Sequence, residues 1–182
     1  IKDFDSPCDV YVINTCTVTG EASRKSGQYI RRAKRFNPEG IVVAMGCYTQ
    51  IYPESVEADI LIGTNDRLRA PELVEKFLIE GKLKSSVIRD SRHYHEFEEI
   101  GPVIERGQTR AFVKIEDGCN RFCSYCIIPF ARGRVRSRKV EDILLEVMAL
   151  REKGYKEIVL TGIDLSSFGS DRGESMLALS DL

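Results

Sequence analysis

Three cysteines, Cys119, Cys123 and Cys126, stand at C-x3-C-x2-C spacing in the stretch Gly118-Cys119-Asn120-Arg121-Phe122-Cys123-Ser124-Tyr125-Cys126. A short loop can turn three such thiolates onto one centre, and thiolates are the usual ligands of iron–sulfur clusters. A four-iron cube held by three local cysteines keeps one iron without a protein ligand. That iron is open to a small molecule that chelates through an amino and a carboxylate group. C-x2-C and C-x3-C spacings also occur in zinc sites. Zinc would need a fourth ligand, and the two histidines, His93 and His95, lie in a charged segment well before the loop. Phe122, Tyr125, Ile127, Ile128 and Phe130 would form an apolar collar that shields a cluster from water. The spacing favours iron–sulfur, with zinc and unligated thiols as the remaining readings.

The chain that must position these thiols has 182 residues, enough for one large or two small domains. Its 27 basic and 28 acidic residues nearly cancel, so any nucleic-acid surface must be local. There is no apolar run long enough to span a bilayer and no secretory signal pattern, so no membrane partner is expected. Six cysteines do not form the dense pattern of a small secreted disulfide scaffold, which points to a reducing cytoplasm. Ile1 is not an initiator methionine, and Ser175 to Leu182 follows a strand with no closing element; the chain is expected to be truncated at both ends.

Asp9–Asn14 (DVYVIN) reads as a buried strand with Thr15-Cys16-Thr17 at its carboxyl end. Glu21 to Phe36 is helical, stopped by Asn37-Pro38-Glu39-Gly40. Ile41–Met45 is an all-apolar strand, as expected when both faces are covered, and Gly46-Cys47 follows at once. A short helix is expected near Pro53–Val56 and a third strand at Asp59–Gly63. Asn65-Asp66 can cap a further helix with Leu68, Leu73, Val74, Phe77 and Leu78 on its apolar face. This alternation predicts a doubly wound parallel sheet, in which ligands bind beyond the carboxyl ends of the strands. Cys16 and Cys47 would then converge on one crevice, as metal ligands or as small buried hydrophobes. Cys8 precedes the strand that Cys16 follows. Eight residues of strand would separate them by about 26 Å, so Cys8 is read as structural.

Residues 82–107 are charged and poorly periodic and read as a linker, with His93 and His95 as exposed side chains, between a domain at 1–81 and another at 108–182. In the latter, Arg110–Ile115 is a strand, and the cysteine loop follows. From Arg121 to Lys139 there are six basic residues and no acidic one. This run is read either as a solvated loop or as a holder of RNA phosphate or of a cofactor's carboxylate. Ser137 can cap a helix whose core stripe is Val140, Ile143, Leu144, Val147 and Leu150, ended by Gly154. Glu157–Leu160 is the next strand, followed by Thr161-Gly162-Ile163-Asp164. Strand, loop, helix, strand is the start of a β/α barrel, with chemistry on its βα loops.

Asn14-Thr15-Cys16-Thr17-Val18, Met45-Gly46-Cys47, Gly63-Thr64-Asn65 and the run VKIEDGCNRFCSYCIIPFARGRVRSR ending at Arg138 together resemble the methylthiotransferases, radical S-adenosylmethionine enzymes. Thr161–Gly169 (TGIDLSSFG) and NTCTVT look like the branch acting on threonylcarbamoyladenosine 37 of tRNA. Sister branches act on isopentenyladenosine 37 or on an aspartate of a ribosomal protein. A module of another class, a noncatalytic iron–sulfur or zinc protein, stays as an alternative. The resemblance implies that Cys119, Cys123 and Cys126 hold a [4Fe–4S] cluster whose open iron binds S-adenosylmethionine. One-electron cleavage of that cofactor would give a 5′-deoxyadenosyl radical that abstracts hydrogen from C2 of the adenine, and a second S-adenosylmethionine would supply the methyl. Tyr125 would pack against the cofactor's adenine, and Thr161 and Gly162 would approach its methionine part. No side chain is required as a general base. Cys16 and Cys47 match two of three cysteines that hold a second [4Fe–4S] cluster. The third lies in an opening strand that this chain lacks, as it lacks most of the barrel and a terminal RNA-binding domain, so the fragment alone is expected to be inactive. The implied partners are the tRNA anticodon loop and an electron-donor protein, and the implied state is a cytoplasmic monomer.

Overall fold

The computed structural model describes residues 4–81, 83–102, 109–174 and 179–182. It divides into two compact units: Ile1–Ser91 with Tyr125–Ala131, and Arg92–Ser124 with Arg132–Leu182.

In the first unit, β1 (Val10–Thr15), β2 (Ile41–Gly46), β3 (Ile60–Ile62) and β4 (Ser85–Val87) form one parallel sheet in that order. Every residue of β2 is buried. Side chains alternate across the sheet, so Val42 and Ala44 pack with α1 (Gly20–Phe36), while Ile41, Val43 and Met45 pack with α3 (Ala70–Ile79). Helices therefore cover both faces, as the doubly wound reading expects. Full burial of Val43, Ile60 and Ile62 contributes about 1.5–3 kcal/mol each. α1 buries Ser26, Ile30 and Ala33 on one stripe, and the Thr19 side chain caps it by accepting the Ala22 N–H.

Some local expectations shift. A short α2 (Cys47–Ile51) starts at Cys47 itself, ahead of the short helix expected near Pro53–Val56, which is a single 3-10 turn at Pro53–Ser55. Asp66 adopts a left-handed conformation and caps nothing, because its carboxylate is taken by Arg89. Leu68 and Leu78 are exposed, leaving Leu73 and Phe77 as the buried part of the α3 face. Within the stretch read as a linker, Ser85–Val87 adds β4 to the sheet edge; its single exposed central residue and short length gave no periodic signal.

In the second unit, β5 (Arg110–Lys114) and β8 (Glu157–Thr161) pair in parallel, joined through the two-residue strands β6 (Glu116–Asp117) and β7 (Arg136–Ser137) and through α5 (Val140–Glu152). A further short helix, α4 (Ile128–Arg132), follows the cysteine loop in sequence. Ala111, Val113, Ile115, Ile143, Leu150, Tyr155 and Phe168 make the core. Leu144 faces solvent instead of the core, and Glu146 takes a buried position because Arg138 reaches it. Ser137 does not cap α5. It lies in β7, its hydroxyl donates to Asp171 and its oxygen accepts the Gly169 N–H at 2.8 Å.

Candidate functional site

At the carboxyl edge of the first unit's sheet, register pairs Thr15 with Gly46, so Cys16 and Cys47 leave from adjacent strand ends. Gly46 has φ +107, and a Cβ there would stand 2.5 Å from the Thr15 carbonyl oxygen, so this close approach requires glycine. Ser26 on α1 fixes the Cys16 backbone on both sides. Its hydroxyl oxygen accepts the Cys16 N–H at 3.0 Å and lies 3.0 Å from the Cys16 carbonyl. The Thr15 hydroxyl donates to the Met45 carbonyl at 2.8 Å. The Cys16 thiol is left exposed, and Cys47 is buried. None of the six cysteines is in a disulfide.

The second unit closes the base of the cysteine loop with the antiparallel pair β6–β7, where Asp117 sits opposite Arg136. Gly118 turns out of this clasp at φ +87, and a Cβ there would overlap the Arg134 carbonyl oxygen at 2.0 Å. The buried Asp117 carboxylate accepts Lys114 Nζ at 2.6 Å, Arg132 at 3.2 Å and the Gly118 N–H at 2.9 Å, with Arg136 at 3.6 Å. Burial alone would raise its pKa, but Lys114, Arg132 and Arg136 outweigh burial and hold it below the usual range. The Cys119 N–H donates to the Gly133 carbonyl at 3.1 Å, and the Val135 N–H donates to Asn120 Oδ1 at 3.3 Å. These bonds fix the loop's roots.

The thiols at its tip are accessible, Cys123 most of all, and Tyr125 is 90 % exposed. Phe122 and Phe130 are also exposed, so the expected apolar collar is not assembled around the loop. In the first unit, residues downstream of the loop are tied by side chains. Thr64 Oγ1 donates to the Ala131 carbonyl at 2.7 Å and Ser91 Oγ to the Phe130 carbonyl at 2.6 Å. Among the described residues, no three cysteine, histidine or carboxylate side chains are gathered within reach of one metal ion. The donor set nevertheless suits an iron–sulfur cluster in chemistry: Cys119, Cys123 and Cys126 are three unbridged thiols, none of them fully buried.

The segment after β8 is held by two carboxylates. Glu116 Oε2 accepts the N–H groups of Ile163 and Asp164 at 2.7 and 2.9 Å, and it lies against Gly162 so closely that a Cβ would meet it at 2.7 Å. Glu116 Oε1 is buried without a hydrogen-bond partner among the described residues. Burial pushes the Glu116 carboxyl up, against the two backbone N–H groups. Asp164 is the opposite case: hydrogen bonds from Arg121 and Ser166 hold it down at about 2. Its bond to Arg121 Nε, at 2.6 Å, ties the cysteine loop to this segment. Thr161, at the end of β8, uses its carbonyl to accept the Ile115 N–H at 2.9 Å.

The basic run is largely internal. Arg132 and Arg136 serve Asp117, and Arg136 is 2 % exposed, donating to the carbonyls of Arg132 and Arg134. Arg138 is buried against Glu99 and Glu146. Arg134 stacks over Phe122 at 5.4 Å. His93 and His95 are exposed, as expected. Glu116, Asp117, Ser26 and the Arg121–Asp164 pair escaped sequence reasoning. The adjacent acidic pair before Gly118-Cys119 was the available signal for the first two.

Residues 1–63 match the UPF0004 family model, described as an uncharacterized protein family, and residues 113–179 match the radical SAM superfamily. The threonylcarbamoyladenosine tRNA methylthiotransferase MtaB of Aquifex aeolicus is 41% identical over 98% of the chain, and that of Bacillus subtilis 44% identical over 93%. A tRNA-2-methylthio-N(6)-dimethylallyladenosine synthase of Staphylococcus haemolyticus is 35% identical over 96%. The chain spans 44%, 38% and 35% of these relatives' own lengths. Among the described residues, no helix is long and apolar enough to cross a membrane.

Proposed function

The chain belongs to the radical S-adenosylmethionine methylthiotransferases, and on that premise we propose that the whole protein inserts sulfur and a methyl group at C2 of N6-threonylcarbamoyladenosine 37 of tRNA. The observation that carries the reading is the C-x3-C-x2-C loop, rooted by Asp117 and lying inside the radical SAM match. The substrate branch rests on the higher identity to the Aquifex and Bacillus relatives than to the dimethylallyladenosine synthase.

In this reading Cys119, Cys123 and Cys126 hold a [4Fe–4S] cluster, with S-adenosylmethionine on its open iron. When bound, that pair supplies a 5′-deoxyadenosyl radical. The chain's own residues set the placement. Asp117 and its three cations hold the loop's roots, and the Arg121–Asp164 pair binds the loop to the segment after β8. Glu116 shapes the Gly162–Asp164 backbone, in which Gly162, together with Thr161, would approach the methionine end of the cofactor. Tyr125, held out in solvent, is free to stack on adenine. Cys16 and Cys47, delivered side by side by strand register, serve as ligands of a second [4Fe–4S] cluster. The protein works on the anticodon loop, where a base can be splayed out, takes electrons from a donor protein, and acts as a cytoplasmic monomer.

The test is anaerobic reconstitution of the intact protein. Iron and sulfide are counted, paramagnetic resonance is recorded with and without S-adenosylmethionine, and digested tRNA is assayed for methylthio nucleosides. A cofactor-perturbed cluster signal and a methylthiolated threonylcarbamoyladenosine are expected. Zinc in place of iron would sink the enzyme reading, and a methylthiolated isopentenyladenosine would move the substrate to the sister branch.

A further inference from the structure

The first unit carries a second polar feature, at the opposite edge of its sheet from Cys16 and Cys47. An open cavity of about 720 Å³ lies between the last turns of α1 and the amino ends of β3 and β4. Arg31 and Arg35 stand one helical turn apart on its wall, and Lys84 faces them from the approach to β4. All three are exposed, and among the described residues none has an ion pair. Lys34 and Asp59 also line the cavity, but they are satisfied. Lys34 Nζ donates to Asp59 Oδ2 at 2.6 Å and to the Gly40 carbonyl at 3.0 Å, and Asp59 accepts the Val42 N–H at 2.8 Å. Glu57 is the one carboxylate in the lining outside that pair. Three uncommitted cations thus face one carboxylate.

Like charges one turn apart on a helix repel each other, and an anion between them relieves the repulsion. Two guanidinium forks and an ammonium around an open cavity suit phosphate oxygens. The cavity's openness suits a strand of phosphates passing across it better than a small sequestered ion.

We propose that this cleft binds the ribose-phosphate backbone of the RNA substrate, away from the base that is modified. The proposal rests on the tRNA reading above and adds a contact to it. The six residues of β2 span about 20 Å between the thiol edge and the cleft, a distance one RNA hairpin can bridge. The run from Arg132 to Arg138, by contrast, spends most of its charge on Asp117, Glu99 and Glu146. The cleft holds cations that the fold itself does not use.

The test compares tRNA binding by the intact protein with that of the triple variant Arg31→Gln, Arg35→Gln, Lys84→Gln. A control triple variant, Arg151→Gln, Lys153→Gln, Lys156→Gln, removes the same charge from exposed positions of the second unit. The cleft variant should weaken binding about tenfold or more near physiological salt and reduce the slope of log affinity against log salt by about 2, at roughly 0.7–0.9 per lost phosphate contact. The control should leave both quantities near the parent's, and melting temperatures should match throughout. Unchanged affinity and slope in the cleft variant, an equal loss in the control, or no RNA binding by the parent at low salt would overturn the proposal. The two readings fail separately. A parent that methylthiolates tRNA while the cleft variant binds normally refutes the cleft alone. A parent that binds RNA through the cleft but leaves it unmodified refutes the reaction alone.

Discussion

Cys16 and Cys47 are placed by backbone, whereas Cys119 and Cys123 are placed by charge. The first pair follows strands in fixed register, with Gly46 packed against the Thr15 carbonyl and a single serine hydroxyl trimming the Cys16 backbone. The second pair hangs on a loop whose roots are one buried carboxylate, three cations and a two-residue ladder. Register delivers both thiols to one edge that the sheet's own hydrogen bonds define. A charged root fixes where a loop begins and ends, and here the Arg121–Asp164 pair adds one tie between Cys119 and Cys123. The two arrangements therefore respond differently to substitution.

The largest contrast is in cofactor cleavage. Cys123→Ala should abolish 5′-deoxyadenosine formation by the intact protein. Cys16→Ala should keep that cleavage and lose methylthiolation. Loss of cleavage in both variants would show that the two thiol sets are not separable.

Stability should separate the two regions next. Asp117→Asn takes the ion-pair partner at 3.6 Å from the buried Arg136 and should cost about 3–5 kcal/mol. Ser26→Ala removes hydrogen bonds to Cys16, whose surroundings water can enter, and should cost about 1 kcal/mol. Denaturant unfolding of the cluster-free protein measures both. Equal costs would erase the distinction between charge and backbone placement.

The smallest effect is a change in pH dependence. Glu116 has its carboxyl pushed up by burial, so the folded state keeps a proton that the unfolded chain has already released. Its contribution to stability is therefore present at acid pH and declines as pH rises from the ordinary carboxyl range through the raised folded value. Glu116→Gln keeps an oxygen for the Ile163 and Asp164 N–H groups and removes the titration. The variant should gain on the parent as pH is raised from about 4 to 7, and parallel stability curves would contradict the assigned protonation.

What was legible in the sequence follows the same division. β2 could be read because six consecutive buried residues in a parallel strand leave an unbroken apolar run. The placement of Cys47 after its strand was readable for that reason, whereas β1, expected to be buried, alternates buried and exposed residues and was legible from its β-branched and aromatic run before Cys16. The roles of Asp117 and of the basic run were not. A carboxylate facing cations at positions 114, 132 and 136 is a long-range arrangement that no local period encodes, so Arg132 and Arg136 looked available for RNA when the fold had already used them. Ser137 read as a cap because local chemistry allowed it, and Asp171, 34 residues away, took its hydroxyl instead. β4 was missed because two half-buried residues around one exposed residue carry almost no pattern.

The β6–β7 clasp has a consequence for how such a protein is made and maintained. Its ladder, its buried carboxylate and its cations are partners of one another, and residues 118–135 emerge from it as an excursion closed at its base. The entropic cost of closing a loop grows only slowly with its length, so an excursion of this size is tolerated. On the proposed iron–sulfur reading, the scaffold would fold first and receive its iron afterwards. On that reading a cluster destroyed by oxygen would be rebuilt in place, without the chain having to unfold and begin again.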